Sequence, residues 1–212
     1  MKLPLFPLKS IFFPGETVPL HIFEPRYKQL IHDCRKEAIT FGIPVYIKNT
    51  IAYGTEVQLV EVVTTYDSGA MDIMCVARQV FKVKTFNNQI GDKLYAGGIV
   101  EFLEYDYISN EGQKEKVLTK IQELYSMMDI PFALIKPKNF NSFKLAHKIG
   151  LSFEQEYELL QIPKEKDRLV FLEKHLIDTL FVLTVVEKTK EAIKLNGHFK
   201  NFDPLDFEDL NV

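Results

Sequence analysis

The sequence predicts an α+β protein in two lobes, a β-rich one over residues 1–108 and a helical one over 109–200, followed by an acidic tail at 201–212. Three observations carry that prediction. Up to about residue 106 the apolar residues come in short runs punctuated by Pro, Gly and Asp-Ser-Gly, the pattern of strands and turns. One segment inside this region, opening at Pro25, switches to helical period. After residue 112 the helical period takes over and its segments lengthen.

The strands follow in order. Residues 3–8 and 11–13 are short apolar runs, the first carrying Pro4 and Pro7. Pro14-Gly15 supplies a tight turn before the run 17–22. Pro4, Pro7 and Pro19 suit edge or irregular positions, because a central ladder would miss their N–H groups. Further strands are expected at 41–47, 55–66, 71–76, 79–86 and 94–103. The 55–66 run is apolar on much of both faces, which suits a central barrel strand. Asp67-Ser68-Gly69 then makes a hairpin with the strand after it. The inserted helix opens on Pro25 at its first turn. It places Tyr27, Leu30, Ile31 and Cys34 on one face.

The helical half begins with a stripe of Val117, Ile121, Leu124 and Met128. Ser142 is expected to cap a short helix reaching Ile149, with Gly150 as its left-handed stop. Ser152 and Gln155 have capping-box spacing and start another helix toward Ile162. A long helix then starts near Pro163 and carries the stripe Leu169, Leu172, Leu176, Leu180 and Leu183. Lys188, Lys190 and Lys194 enrich its end, and Gly197 is expected to close it.

Composition and motifs exclude several chemistries. Twenty-six basic residues against 29 acidic ones argue against a dedicated nucleic-acid binder. Cys34 and Cys75 are too few for a disulfide framework or a zinc cluster and read as buried, reduced thiols. Five scattered histidines form no ligand pair, so no metal or cofactor is expected. No phosphate-binding glycine loop and no nucleophile elbow are present, so no enzyme activity is expected. No signal peptide or membrane span is visible, and the chain reads as a soluble, cytoplasmic protein without a membrane partner.

The N-terminal segment carries a resemblance. Leu3-Pro-Leu-Phe-Pro-Leu8, then Phe13-Pro14-Gly15, then Val18-Pro-Leu-His-Ile-Phe-Glu-Pro-Arg-Tyr27 resemble the opening of Lon protease substrate-binding domains, nearest to their stand-alone bacterial members. Val18 stands where the family pattern has Leu, Ala77 and Val80 depart from its Gly and Arg, and Gly98 stands for Ala. The resemblance implies a pseudo-barrel of the PUA-like type followed by a helical bundle, without the ATPase and Ser–Lys peptidase of full-length Lon. It implies binding of unfolded or extended polypeptide, or of a protease or other protein partner. RNA binding is the alternative, because PUA-like barrels bind RNA, with Lys82, Lys84 and Lys93 as its basic residues.

The motif residues Pro14, Gly15, Pro19, Phe23, Glu24, Arg26 and Tyr27 read mainly as fold determinants. Phe23 and Tyr27 would staple the helix to the barrel, and Glu24 and Arg26 would anchor loops. Peptide contacts are expected from Phe12, Phe13, Tyr66 and Met71. These would form one exposed apolar patch rimmed by Lys9, Glu16 and Asp67.

Overall fold

The structure is a computed structural model that describes residues 1–199, with side chains described to residue 194. The expected acidic tail lies outside the described residues. The protein is α+β, and among the described residues six strands are followed by three of four α-helices: β1 (Lys2–Leu5), β2 (Thr17–Ile22), α1 (Pro25–Glu37), β3 (Phe41–Ile47), β4 (Thr50–Thr65), β5 (Met71–Asn87), β6 (Ala96–Phe102), α2 (Glu111–Met127), α3 (Phe153–Gln161) and α4 (Glu165–Phe199).

The strand order is β2-β5-β4-β3-β1-β6, with an additional β5–β6 pairing that closes the sheet on itself. The closed ring is therefore β5-β4-β3-β1-β6. β5 serves both ends of the molecule. Its first half pairs with β2, from Ile22↔Met71 to Thr17↔Val76, and its second half pairs with β6, from Phe81↔Phe102 to Asn87↔Gly97. The sequence expects two strands here. A register shift against β4 at Ala77–Val80 bends one 17-residue strand instead of ending it. Gly54 is required where β3 and β4 cross closely, since a Cβ there would lie 2.4 Å from Ile43 O.

Phe13-Pro14-Gly15-Glu16 is a turn closed by Glu16 N–H on Phe13 O, with Gly15 at φ +90°. Residues 11–13 are not a strand. Their side chains leave in different directions. Phe13 is wholly buried in the core shared with the helical half, stacked on Phe143 at 5.0 Å. Phe12 is half-buried against the core beneath α1, and its carbonyl accepts from the Thr55 hydroxyl at 2.6 Å. The α1 stripe of Tyr27, Leu30, Ile31 and Cys34 packs with Val18, Ile22, Ile73 and Cys75. Both cysteines are free and buried, and burial pushes each thiol up to about 12.

The helical half surrounds a second core built from Val117, Ile121, Leu159, Leu169, Leu172 and Leu176, with Leu180 and Leu183 half-buried against it. Ser152 and Gln155 form the full capping box of α3. The 142–149 segment is a run of turns with a single 3-10 turn at Ala146–Lys148, not a helix capped by Ser142. Ser142 has other partners. Its hydroxyl donates to Glu165 Oε2 and accepts from Arg168 Nε, both at 2.8 Å. Gly150 does adopt the left-handed conformation, at φ +79°. α4 continues through Gly197 to Phe199, so that glycine does not close it.

Arg168 is the polar centre of this half. Its side chain is fully buried, and all five of its N–H donors have acceptors. Nη1 donates to the carbonyls of Ile162 and Pro163 at 2.8 Å, and Nη2 donates to Asp106 O and Glu165 Oε2. Phe143, Tyr105 and Tyr107 lie around the guanidinium at 4.6–5.4 Å. The chain leaving β6 is thereby fixed to the start of α4.

Candidate polypeptide-binding surface

The three strands β2, β5 and β4 project beyond the closed ring as an antiparallel sheet covered on one face by α1. Strand alternation decides which side chains reach the surface. Val18, Leu20, Ile22, Met71, Ile73 and Cys75 face α1. His21 and Asp72, paired across the strands, face the other way. His21 Nδ1 lies 2.6 Å from Asp72 Oδ1, and the Tyr66 hydroxyl donates to Asp72 Oδ2. Phe23 and Tyr66 pack on the His21 ring, each at 5.9 Å between ring centroids. The hydrogen bond that the Tyr66 phenol donates to Asp72 holds its pKa above the ordinary value, and the same bond holds Asp72 below the usual carboxylate range.

β4 changes character along its length. From Tyr53 to Val57 it lies between β3 and β5. Beyond Val57 it pairs with β5 alone, so residues 58–65 form an open edge. Two register shifts against β5, between Leu59 and Glu61 and between Val62 and Thr64, leave Val60 and Val63 as bulged residues. Both are exposed, at 60% and 56%. A groove of about 460 Å³ runs along this edge, lined by residues 58–62 on one side and by Cys34, Arg35, Ala38 and Ile39 on the other. It opens where β3 would lie if it began several residues earlier. Ala38 is left-handed at φ 53° and turns the chain away from that path.

An open edge presents unpaired backbone N–H and C=O groups to whatever lies beside it. This one can accept an extended backbone through those groups and apolar side chains through Val60 and Val63. Arg35 and Glu61 give its rim one charge of each sign.

The residues expected to bind peptide do not come together. Phe13 is core, for the reason that the turn at Pro14-Gly15 points it at Phe143. Met71 faces α1 and is half-buried. Phe12 sits beside Thr55, about eleven residues of strand from Tyr66, on the order of 30 Å. Of these four residues Tyr66 alone is exposed. Glu16 does not rim a patch. It accepts from Phe13 N–H at 2.8 Å and from His147 at 3.3 Å. Among the motif residues, Tyr27 staples α1 by stacking on Phe6 at 3.7 Å, while Phe23 is 62% exposed and staples nothing. Glu24 and Arg26 bind each other at the surface, and Pro19 lies on the outward face of β2.

The open edge escaped sequence reasoning. Val60 and Val63 carry a signal, since they break the alternation of β4, but alternation alone does not show which strand ends first. The basic residues weighed for RNA are engaged elsewhere. Lys84 pairs with Glu101, Lys93 with Asp33, and Lys82 lies over the Tyr53 ring. Among the described residues no cluster of three or more His, Cys, Asp or Glu is placed to hold a metal ion. None of the described helices is long and apolar enough to cross a membrane.

Comparison with known proteins places this geometry. A family described as the ATP-dependent protease La (LON) substrate-binding domain matches residues 2–178. Among solved structures, a Lon N-terminal domain protein from Xanthomonas campestris superposes with a TM-score of 0.61 at 28% identity, covering 81% of this chain and 96% of its own. The N-terminal domain of a Mycobacterium avium complex Lon protease gives a TM-score of 0.61 at 14% identity, covering 84% and 99%, a likeness of fold alone. A search of curated proteins gives no match.

Proposed function

This chain belongs to the family of the Lon substrate-binding domain, and from that premise we propose that it is a non-catalytic recognition module that takes an extended apolar polypeptide as an added strand on the open edge of β4. The ligand is an unfolded segment, or an extended segment of a protease or other protein partner. One observation carries this reading: residues 58–65 have a strand on one side only, beside a groove shaped by the end of α1. Strand addition supplies main-chain hydrogen bonds for affinity and side-chain contacts for selection. Val60 and Val63 select apolar residues, and the aromatic cluster of Phe23, His21 and Tyr66 extends the surface toward the hairpin end.

The affinity follows from the parts. Four or so edge hydrogen bonds contribute about 1 kcal/mol each. Burial of the two valines contributes about 1–2 kcal/mol each. These sum to about 6–8 kcal/mol before the cost of ordering an extended chain is subtracted, so a single segment is held no more tightly than the micromolar range, suited to sampling many segments.

The test is titration with a chemically unfolded, alkylated polypeptide, followed by backbone amide exchange. Binding is expected to protect outward-facing amides within residues 58–65. Val60→Lys with Val63→Lys is expected to weaken binding at least about tenfold, with the melting temperature unchanged because both side chains are exposed. Binding with protection only elsewhere overturns the edge assignment. No binding of the unfolded polypeptide at all overturns the reading of unfolded segments as the ligand.

A further inference from the structure

α4 presents a second apolar surface that neither core uses. The inward stripe of Leu169, Leu172, Leu176, Leu180 and Leu183 packs on the body, but its continuation is Glu187, Lys190 and Lys194, all exposed. The helix has therefore left the body by residue 187. On the opposite side Ile177, Phe181 and Val185 follow one another at helical spacing, with Val170 two turns earlier beyond the exposed Lys174, and Val182, Val186 and Ile193 flank them. All seven apolar residues are exposed, Phe181 at 69% and Val182 at 57%. Thr184 and Thr189 turn their hydroxyls back onto the carbonyls of Leu180 and Val185, each at 2.8 Å, so their polar groups are satisfied within the helix. The family match ends at residue 178, so most of this face lies beyond the part shared with the family.

We propose that this face pairs with the same face of a second copy of the chain, the two α4 helices running antiparallel and crossing near Val182–Val185. Charge chooses the occupant and its direction. Asp178 lies before the apolar centre and Lys188 after it, both exposed. An antiparallel two-fold pair sets Asp178 of each copy beside the second copy's Lys188, and Phe181 against Val185 and Val186. A parallel pair would instead align Asp178 with Asp178 and Lys188 with Lys188. The area also suits a pair. The exposed apolar surface is on the order of 600 Å² per copy, so a symmetric contact buries about 1,200 Å², the lower end of specific interfaces. This proposal stands apart from the strand-addition reading, since the β4 edge takes no part in it.

The experiment is sedimentation equilibrium on the full chain from about 1 to 200 μM. A monomer–dimer equilibrium with a micromolar dissociation constant is expected. Phe181→Glu with Val185→Glu is expected to leave a monomer throughout, with an unchanged circular dichroism spectrum and a melting temperature that no longer rises with concentration. Asp178→Lys and Lys188→Asp are each expected to raise the dissociation constant about tenfold, and the double swap to restore it to within about threefold. A full chain that stays monomeric at every concentration overturns the proposal. So does a dimer that survives the two glutamates. A monomeric full chain that dimerises only when residues 200–212 are removed shows that this segment takes the face instead. Single swaps that weaken the dimer without rescue by the double swap refute the antiparallel register.

Discussion

Replacing Arg168 with Met removes the charge that every group around it was arranged to meet. Glu165 would remain a fully buried carboxylate, keeping the Ser142 backbone N–H and hydroxyl but losing two charged donors. The carbonyls of Asp106, Ile162 and Pro163 would each lose an Arg168 donor. Removing one member of a buried ion pair costs about 3–5 kcal/mol, a large part of the 5–15 kcal/mol that holds an ordinary domain. For a chain of this size that corresponds to a fall in melting temperature of about 10–15 °C. Urea and thermal unfolding followed by circular dichroism measure it. Glu165→Gln added to Arg168→Met removes the orphaned charge and is expected to recover about half of the loss. Arg168→Lys keeps the charge but supplies three donors instead of five and is expected to fall between wild type and Met. An Arg168→Met protein within 1 kcal/mol of wild type would refute the claim that this side chain ties the exit of β6 to α4.

Two further outcomes follow from the packing between the halves. His147 bridges Glu16 and Glu156 beside the Phe13 ring, and its hydrogen bond to Glu16, with that to Glu156, raises its pKa from 6.5 to about 9. A raised histidine pKa stabilises the fold fully below the unfolded value of 6.5, and that stabilisation is lost as pH rises through about 9. Discounted for partial exposure, the effect is about 1 kcal/mol. Denaturation midpoints should fall across this window in the wild type and stay flat in His147→Gln; equal slopes would refute the bridge. Phe13→Ala should cost about 3–5 kcal/mol in chemical denaturation because the ring is wholly buried, while Tyr66→Ala should cost under 1. Equal losses would mean that burial does not separate the two residues.

Local signals in the sequence read true where the chemistry is local. Ser152 and Gln155 satisfy each other within one helical turn, so their spacing announces α3. Pro14-Gly15 and Asp67-Ser68-Gly69 specify their turns alone. The resemblance at residues 3–27 leads to the right family. What failed depended on distant partners. Ser142 looks like a helix cap until Glu165 and Arg168 claim its hydroxyl. Arg168 itself sits among Lys164, Lys166 and Asp167, and nothing in that polar run marks it as the buried one. β4 reads as a central strand because its first half is one. Its second half becomes an edge only because β3 starts at Phe41, and the length of a neighbouring strand is not written in β4. Phe12 and Phe13 are adjacent apolar residues whose separation into two cores is decided by a turn that follows them.

The way the ring closes has a consequence for how the chain reaches this shape. β1 pairs with β3 at Leu5↔Gly42 and with β6 from Lys2↔Ile99 to Leu5↔Ala96. The second of these contacts joins residues roughly 95 positions apart, a long loop to close before any reward is gained. During synthesis β1 is made first, yet one of its sides stays bare until residues 96–99 have left the ribosome. The β4–β5 hairpin needs no such wait and can form as soon as residue 87 is free. Barrel closure is therefore expected to be the slow phase of refolding. Strengthening the hairpin should leave that phase unchanged, whereas weakening Leu3 or Leu5 against Val100 and Phe81 should lengthen it.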